Sequence, residues 1–354
     1  MMDISSVSPF GLGSADKRQF LGSQLQQLID WHRAHCDPYA RVLDRLWPPS
    51  PAAPRLEDLP FLPVRLFKEL ELLSVPRSEV VKTMTSSGTG GQLSRIFLDK
   101  STAALQIKVL AKIMADFIGP QRLPMLVIDS RSTVSDRLRF SARTAGILGF
   151  SMFGREVEFA LDDDMQLNLP RVKRFLEKYP DGPILLFGFT FMVWQHLVLS
   201  LEEQALSLPL ERGILIHGGG WKQMLAHAVD SSVFKARLAR VAGLSRVHNY
   251  YGMVEQTGSI FMECEAGHLH ASAFSEVIIR DPKDFSPLGP GQVGLIEVLS
   301  VIPRSYPGHI LLSEDLGEWG GEDDCPCGRL GRHFKVHGRI QQAEVRGCSD
   351  TYTR

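Results

Sequence analysis

The stretch Thr85-Ser86-Ser87-Gly88-Thr89-Gly90-Gly91 holds four hydroxyls and three glycines in seven residues. Small side chains let backbone amides converge on an anion, and hydroxyls donate to phosphate oxygens, so the chemistry on offer is phosphate binding. No Lys-Ser/Thr pair follows the glycines, which excludes a Walker loop; a plain surface loop has the same composition. His217-Gly218-Gly219-Gly220-Trp221-Lys222 directly follows the apolar run Ile214–Ile216. Glycines at the carboxyl end of a parallel strand stand where α/β sheets bind ligands, although a strand-to-helix turn without a ligand reads alike. In Asn249-Tyr250-Tyr251-Gly252-Met253-Val254-Glu255-Gln256 the rings offer a stacking face for a purine, and a carboxylate three residues after a glycine suits magnesium. The bland alternative is a pair of core tyrosines and a solvated glutamate. Asp315, in Ser313-Glu314-Asp315-Leu316-Gly317, reads as an acid in a turn, placed to accept from ribose hydroxyls or to cap. Cys264, His268 and His270 share one turn-like segment, and Cys325-Pro326-Cys327-Gly328 forms another. Three thiolates and one imidazole make a tetrahedral zinc set, with His270 the better ligand by register and His268 the alternative. Reduced cysteines without a metal are the competing reading.

These residues need elements to hold them. Phe20, Leu25, Leu28, Trp31, Val42 and Leu46 recur at helical spacing over Lys17–Leu46, with a break expected near Asp37-Pro38. The proline-rich Trp47–Pro54 suits neither helix nor strand. Beyond it, apolar runs bounded by Gly or Pro predict strands over Arg95–Leu98, Met125–Ile128, Ile184–Phe187 and Ile214–Ile216. Helices are expected over Ala103–Phe117, Asp136–Leu148 and Pro170–Lys178, a rhythm that implies an α/β domain with a largely parallel sheet. Past Ser245 the texture changes: Glu276–Ile279 and Val293–Leu299 read as short strands joined by turns, a β-rich lobe. The expected division is a helical region at 1–80, an α/β body at 81–245, a β-rich lobe at 246–337 and a tail at 338–354. No dinucleotide-binding G-x-G-x-x-G is present, and His196, on an apolar helical stretch, reads as structural.

The motifs in order (TSSGTGG, a glycine-rich strand end, YG-x-x-E, the acid at Asp315, then Gly338-Arg339) resemble the adenylate-forming superfamily. Within it, Met262–His270, CPCGR at 325–329 and His337–Ile340 resemble phenylacetate-CoA ligases. LPFLPVRLFKE at 59–69, TMTSSGTGGQLSRIFLD at 83–99 and YGMVEQ are similar to the acyl-protein synthetases of bacterial bioluminescence. The resemblance covers roughly Leu59 to the end. It implies the large α/β domain of that superfamily plus a β-rich lobe. Ser86, Ser87, Gly88, Thr89, Gly90 and Gly91 would then hold the ATP phosphates, with Thr89 in a catalytic part. Gly218, Gly219, Gly220 and Trp221 would line the adenine and acyl pocket, and Tyr251 and Gly252 the adenine. Glu255 would bind Mg2+ and serve catalysis, Asp315 would take the ribose hydroxyls, and Arg339 would stand at the hinge. The phenylacetate-CoA ligase likeness implies a structural Zn2+ on Cys264, His270, Cys325 and Cys327.

Two departures follow from the same resemblance. Val254 stands where the superfamily has Thr, removing one hydroxyl near the phosphates. Superfamily members also continue past the hinge into a small domain carrying a lysine that stabilises charge during adenylation, whereas this chain ends 15 residues after Arg339. That domain is expected to be missing, as in the acyl-protein synthetases, with Arg95, Lys222 and Lys335 as candidate cations. The acyl-protein synthetases carry an acylated cysteine near the C-terminus, and Cys348, six residues from the end, matches by position. A thiolate is suited to attack a mixed anhydride, and Arg346 nearby favours the charged form.

The charge is balanced, 39 basic against 40 acidic residues, which argues against a nucleic-acid partner. The apolar run Pro183–Trp194 is too short for a membrane span, and MMDISSVSPF has neither the basic nor the apolar region of a signal peptide. Five cysteines do not make a disulfide framework, and the expected place is the cytoplasm. The expected reaction is ATP-dependent activation of a carboxylic acid, a fatty acid by the resemblance, as acyl-AMP, with transfer to Cys348 and hand-over to an acyl reductase or acyltransferase. The alternatives are a ligase that transfers to CoA or a carrier protein, and a non-catalytic nucleotide-binding relic.

Overall fold

The helical spacing over 17–46 forms two helices, Ser14–His35 and Asp37–Leu46. They break at Cys36 because Pro38 lies in the first turn of the second helix, where its missing N–H costs nothing. The computed structural model describes residues 4, 6–47, 55–86, 93–135, 142–221 and 227–340. Its strands are β1 (Leu62–Pro63), β2 (Val80–Thr85), β3 (Arg95–Asp99), β4 (Leu123–Ser130), β5 (Gly154–Leu161), β6 (Ile184–Phe189) and β7 (Gly213–Gly218). They continue with β8 (Arg246–Tyr251), β9 (Phe261–Glu263), β10 (Leu269–His270), β11 (Ser275–Arg280), β12 (Gly294–Ser300), β13 (Ile310–Glu322) and β14 (Arg332–Arg339).

The chain forms two units. Of the described residues, one comprises those up to Ser86, 93–116 and 252–340; the other comprises 117–135, 142–221 and 227–251. In the second unit, β5, β4, β6, β7 and β8 lie side by side, each pair parallel. Every residue of β4, β6 and β7 is buried, as uninterrupted apolar runs in a parallel sheet require when helices cover both faces. The helices of this unit include Ala142–Ser151, Leu169–Lys178 and Ser231–Ala242. Asn168 and Asp230 cap the last two, accepting from the N–H of Arg171 (3.0 Å) and Val233 (2.9 Å). A further helix runs from Thr190 to Glu203 through a π turn at Trp194–Leu199.

In the first unit an antiparallel sheet runs β11-β12-β13-β14-β10-β9, with β1 parallel to β13. A separate ribbon pairs β2 with β3. The long helix Lys100–Ile118 gives this unit its residues through Asp116. Charged groups tie the core: Lys17, 1% exposed, donates to the Ala271 carbonyl (3.0 Å) and pairs with Glu276 (3.0 Å), and Arg280 pairs with Glu297.

The expected strands and helices recur with bounds shifted by a few residues, save that the helix expected at Asp136–Leu148 begins at Ala142 as described, with 136–141 outside the described residues. Strand β5 escapes a sequence reading because Arg155, Glu156 and Glu158 break its apolar pattern, as befits a sheet edge. Asp315 is not in a turn. It lies within the 13-residue β13, whose glycines mark close approach rather than chain reversal: a Cβ on Gly317 would fall 2.5 Å from the Lys335 carbonyl oxygen.

The first unit also buries a histidine pair. His32 lies against the Ser74 hydroxyl (2.7 Å) and the Pro303 carbonyl (3.2 Å) and stacks on His309, with ring centroids 4.8 Å apart. Burial holds His32 at about 3 and His309 well below its ordinary value. The unfolded chain takes up protons near pH 6.5 that the folded one refuses, so the stability from neutral His32 is present above about 6.5 and lost as the pH falls toward 3. Glu297, pushed up to about 7 by the same burial, has the opposite slope, so a comparison isolates the histidine. Thermal unfolding of wild type is expected to lose about 1.4 kcal/mol more per pH unit between pH 6 and 4 than His32→Gln. Equal slopes would show that the ring protonates in place.

Candidate functional site

The glycine- and hydroxyl-rich segment connects β2 to β3. Thr85 pairs with Arg95, and just beyond them the Ser86 N–H donates to the Ser94 carbonyl (3.1 Å) while the Ser94 N–H donates to the Ser86 hydroxyl (2.9 Å). Ser86 thus closes the base of the hairpin. Ser87, Gly88, Thr89, Gly90 and Gly91 lie outside the described residues.

Beside that base stands Glu255, in the single 3-10 turn Val254–Gln256 that follows Gly252. The turn is pinned by Gln256, whose buried amide donates to the carbonyls of Val298 (3.2 Å) and Gly308 (3.0 Å). Gly308 permits the approach: a Cβ there would fall 2.6 Å from the Glu255 carbonyl oxygen. Glu255 is 7% exposed, and burial pushes its carboxyl up, opposed by neighbouring Ser94 and by the charges of Lys68 and Arg339. A carboxylate so placed gains from a cation, so the residue fits a magnesium ligand. Arg339, which ends β14, pairs with Asp315 of β13 (3.2 Å), and the two are register partners. One unit therefore gathers the hairpin base, Glu255, Asp315 and Arg339. Of the candidate cations, Arg95 is exposed at the hairpin base, Lys335 is exposed on β14, and Lys222 lies outside the described residues. Lys68, whose charge reaches Glu255, was not among them, although it lies within the 59–69 motif, on the four-residue helix Leu66–Glu69.

The other unit carries the second glycine motif at the carboxyl end of β7. Gly218 is required there, because any Cβ would run into the Tyr250 ring, and Gly219 has φ +78°. Gly219 and Gly220 are exposed. Behind them Trp221 meets Trp194 edge-on (5.4 Å), Trp194 stacks on Phe234 (5.9 Å), and the Arg237 guanidinium lies over Trp194 (4.3 Å). Thr190 lies 3.0 Å from His217 Nδ1 and donates to the Gly218 carbonyl (3.2 Å), fixing the strand end. Burial lowers His217 to about 3, so it is a neutral support for that edge. Tyr251, half-buried, ends the adjacent β8.

The sulfur and imidazole donors converge in the first unit. Cys264, His270, Cys325 and Cys327 present ligand atoms all within 4.8 Å of one another. Cys264 Sγ and Cys325 Sγ are 3.8 Å apart, and Cys327 Sγ and His270 Nε2 are 3.4 Å apart. Around a tetrahedral zinc with bonds near 2.3 Å to sulfur and 2.0 Å to nitrogen, such pairs stand about 3.8 and 3.5 Å apart. Two like turns supply the thiols. In Cys264–Gly267 and in Cys325–Gly328 the glycine N–H donates to the cysteine carbonyl at 3.0 Å, with φ +80° and +79°. His270 comes from β10, which pairs with β9 and β14. His268, the alternative ligand, lies beside Cys325 (3.5 Å) and stacks on His333, outside the four-donor group. Burial pushes the Cys264 and Cys325 thiols up, the latter to about 12, and His270 down to about 4, whereas Cys327, against its burial, is held down by the Arg329 N–H and the neighbouring thiols.

No helix among the described residues is long and apolar enough to cross a membrane. A solved structure of 2-hydroxyisobutyryl-CoA ligase in the postadenylation state superposes with a TM-score of 0.72 at 17% identity, covering 96% of this chain and 72% of that one. Another, in the thioesterification state, gives 0.73 at 18%, covering 95% and 70%. This is the adenylate-forming ligase fold. Two relatives are described as long-chain-fatty-acid–luciferin-component ligases. The one from Vibrio harveyi is 22% identical over 346 residues, covering 94% of this chain and 87% of its own length. That from Aliivibrio fischeri is 23% identical over 270 residues, covering 74% and 69%. A family model described as acyl-protein synthetase, LuxE, matches residues 2–354. With a match over that length, on this fold, the chain belongs to the acyl-protein synthetase (LuxE) family of AMP-forming ligases.

Proposed function

We propose that the protein activates a fatty acid with ATP and carries the acyl group on Cys348 as a thioester. The carrying observation is that the hairpin base and Glu255 meet within one unit, so the segment with phosphate-binding composition and the acid suited to magnesium adjoin. In the first step a carboxylate oxygen of the acid bonds to the α-phosphorus of ATP and pyrophosphate leaves. Backbone amides and hydroxyls of residues 86–91 hold the phosphates, with Thr89 donating to the oxygens that gain charge. Glu255 holds Mg2+, which when bound neutralises charge on the phosphates. Asp315, oriented by Arg339, accepts from the ribose hydroxyls, while Gly218–Gly220, Trp221, Tyr251 and Gly252 border the adenine and the acid. In the second step the Cys348 sulfur bonds to the acyl carbon and AMP leaves with the electron pair of the broken C–O bond.

Elimination also supports Cys348. Of the five cysteines, Cys36, Cys264 and Cys325 are buried and Cys327 belongs to the four-donor cluster. That cluster we assign to a structural zinc, which leaves no open ligand position and fixes the two turns to β10. The thioester would pass to an acyl reductase or acyltransferase in the cytoplasm.

Glu255→Gln tests the first step. Removing the charge is expected to lower acid-dependent exchange of pyrophosphate into ATP by about 10²–10³-fold. The neutral amide suits the buried position, so the melting temperature should hold or rise. Full exchange activity in this variant would remove Glu255 from the reaction, and no exchange in wild type with any acid would overturn adenylation.

A further inference from the structure

Building on the acyl-activating reading, we infer that Phe189 is the inner stop of the acid site and sets the length of acid the enzyme accepts. Phe189 ends β6, and its register partner is Gly218, which ends β7. It thus stands at the carboxyl edge of the parallel sheet, where such sheets take ligands. Successive side chains alternate faces, so Phe187 and Phe189 share one face. On that face Phe150 stacks on Phe187 (4.4 Å, 20°) and Tyr250 lies 5.0 Å from Phe150, a packed aromatic layer. Phe189 is the next ring along the strand toward the exposed Gly219 and Gly220.

Two glycines make room for this one ring. A Cβ on Gly146 would fall 2.8 Å from Phe189 Cζ, and a Cβ on Gly219 would fall 3.0 Å from Phe189 Cδ1. Gly146 lies inside the helix Ala142–Ser151, where glycine is unfavourable, so its presence marks the close approach of the ring. The ring is 1% exposed and wedged from two sides, with apolar layers behind it and the glycine edge in front. An alkyl chain entering at that edge meets Phe189 before the layer of Phe187 and Phe150. Shortening the side chain opens apolar depth beyond the stop. A methyl on Gly146 drives the ring the other way and makes the site shallower.

The test is acid-dependent pyrophosphate exchange over a series of straight-chain fatty acids, with wild type, Phe189→Ala, Phe189→Leu and Gly146→Ala. The Phe189 variants should shift kcat/KM toward longer acids, changing the long-to-short ratio by about tenfold or more, and Gly146→Ala should shift it toward shorter ones. Opposite shifts cannot come from general destabilisation, and Phe189→Leu keeps the test open if Phe189→Ala fails to fold. An unchanged length profile in Phe189→Leu and Gly146→Ala, beside an active wild type, overturns the inference alone. A wild type that exchanges with no acid overturns the adenylation reading and this inference with it.

Discussion

Cys348→Ser is expected to abolish acylation of the protein while leaving acid-dependent pyrophosphate exchange within about twofold of wild type, because the thiol acts only after acyl-AMP has formed. Sulfur is the better nucleophile here: a thiol gives up its proton far more readily than a serine hydroxyl, which attacks only where a base serves it. The measurement is intact-protein mass after incubation with ATP, magnesium and a fatty acid. Wild type should gain one acyl group that hydroxylamine removes, and the variant should gain none. Retention of the added mass in Cys348→Ser would place the acceptor elsewhere. No added mass in wild type, with pyrophosphate released on adding coenzyme A, would make the protein a coenzyme A ligase. The buried state of Cys36, Cys264 and Cys325 gives the result its meaning, since these thiols are not offered to a large substrate.

The zinc assignment predicts the largest effect on stability. Metal analysis of protein made in zinc-supplemented medium should find about one zinc per chain, and Cys325→Ser should lose it. Structural zinc in small peptides contributes roughly 10–16 kcal/mol, and even a part of that would lower the melting temperature of the unit holding β9–β14. His270→Ala should lose the metal as Cys325→Ser does, whereas His268→Ala should retain it, because His268 stands outside the four-donor group. A metal-free wild type whose melting is unchanged by a strong chelator and by Cys325→Ser would reduce the cluster to three packed thiols and a neutral histidine.

Much of this molecule was legible without coordinates wherever the cause is local. The apolar runs within β4, β6 and β7 declare buried parallel strands, and Pro38 places the break between the first two helices near Asp37-Pro38, beside the observed Cys36. The cysteines and histidines of the metal cluster are equally plain, as is the composition of TSSGTGG. The turn expected at Asp315, and the burial that charge alone does not announce, have a different cause. Glycines in β13 look like turn punctuation, yet they serve the close approach of β14, a fact that resides in the partner strand. Lys17, Glu276, Arg280 and Glu297 carry surface chemistry in sequence and lie in the core, because each meets its opposite charge there across many residues of chain.

By itself, then, the sequence determined the donor types, the parallel core and the family likeness, since these depend on residue identity and short-range periodicity. Tertiary structure alone decided which donors meet. Cys264 and Cys325 are 61 residues apart and come within 3.8 Å through the pairing of β10 with β9 and β14. The same holds for Glu255 at the hairpin base and for Phe189 between Gly146 and Gly219. Side-chain alternation and strand register bring such groups together, and a register is a property of two strands, so neither strand's sequence contains it alone.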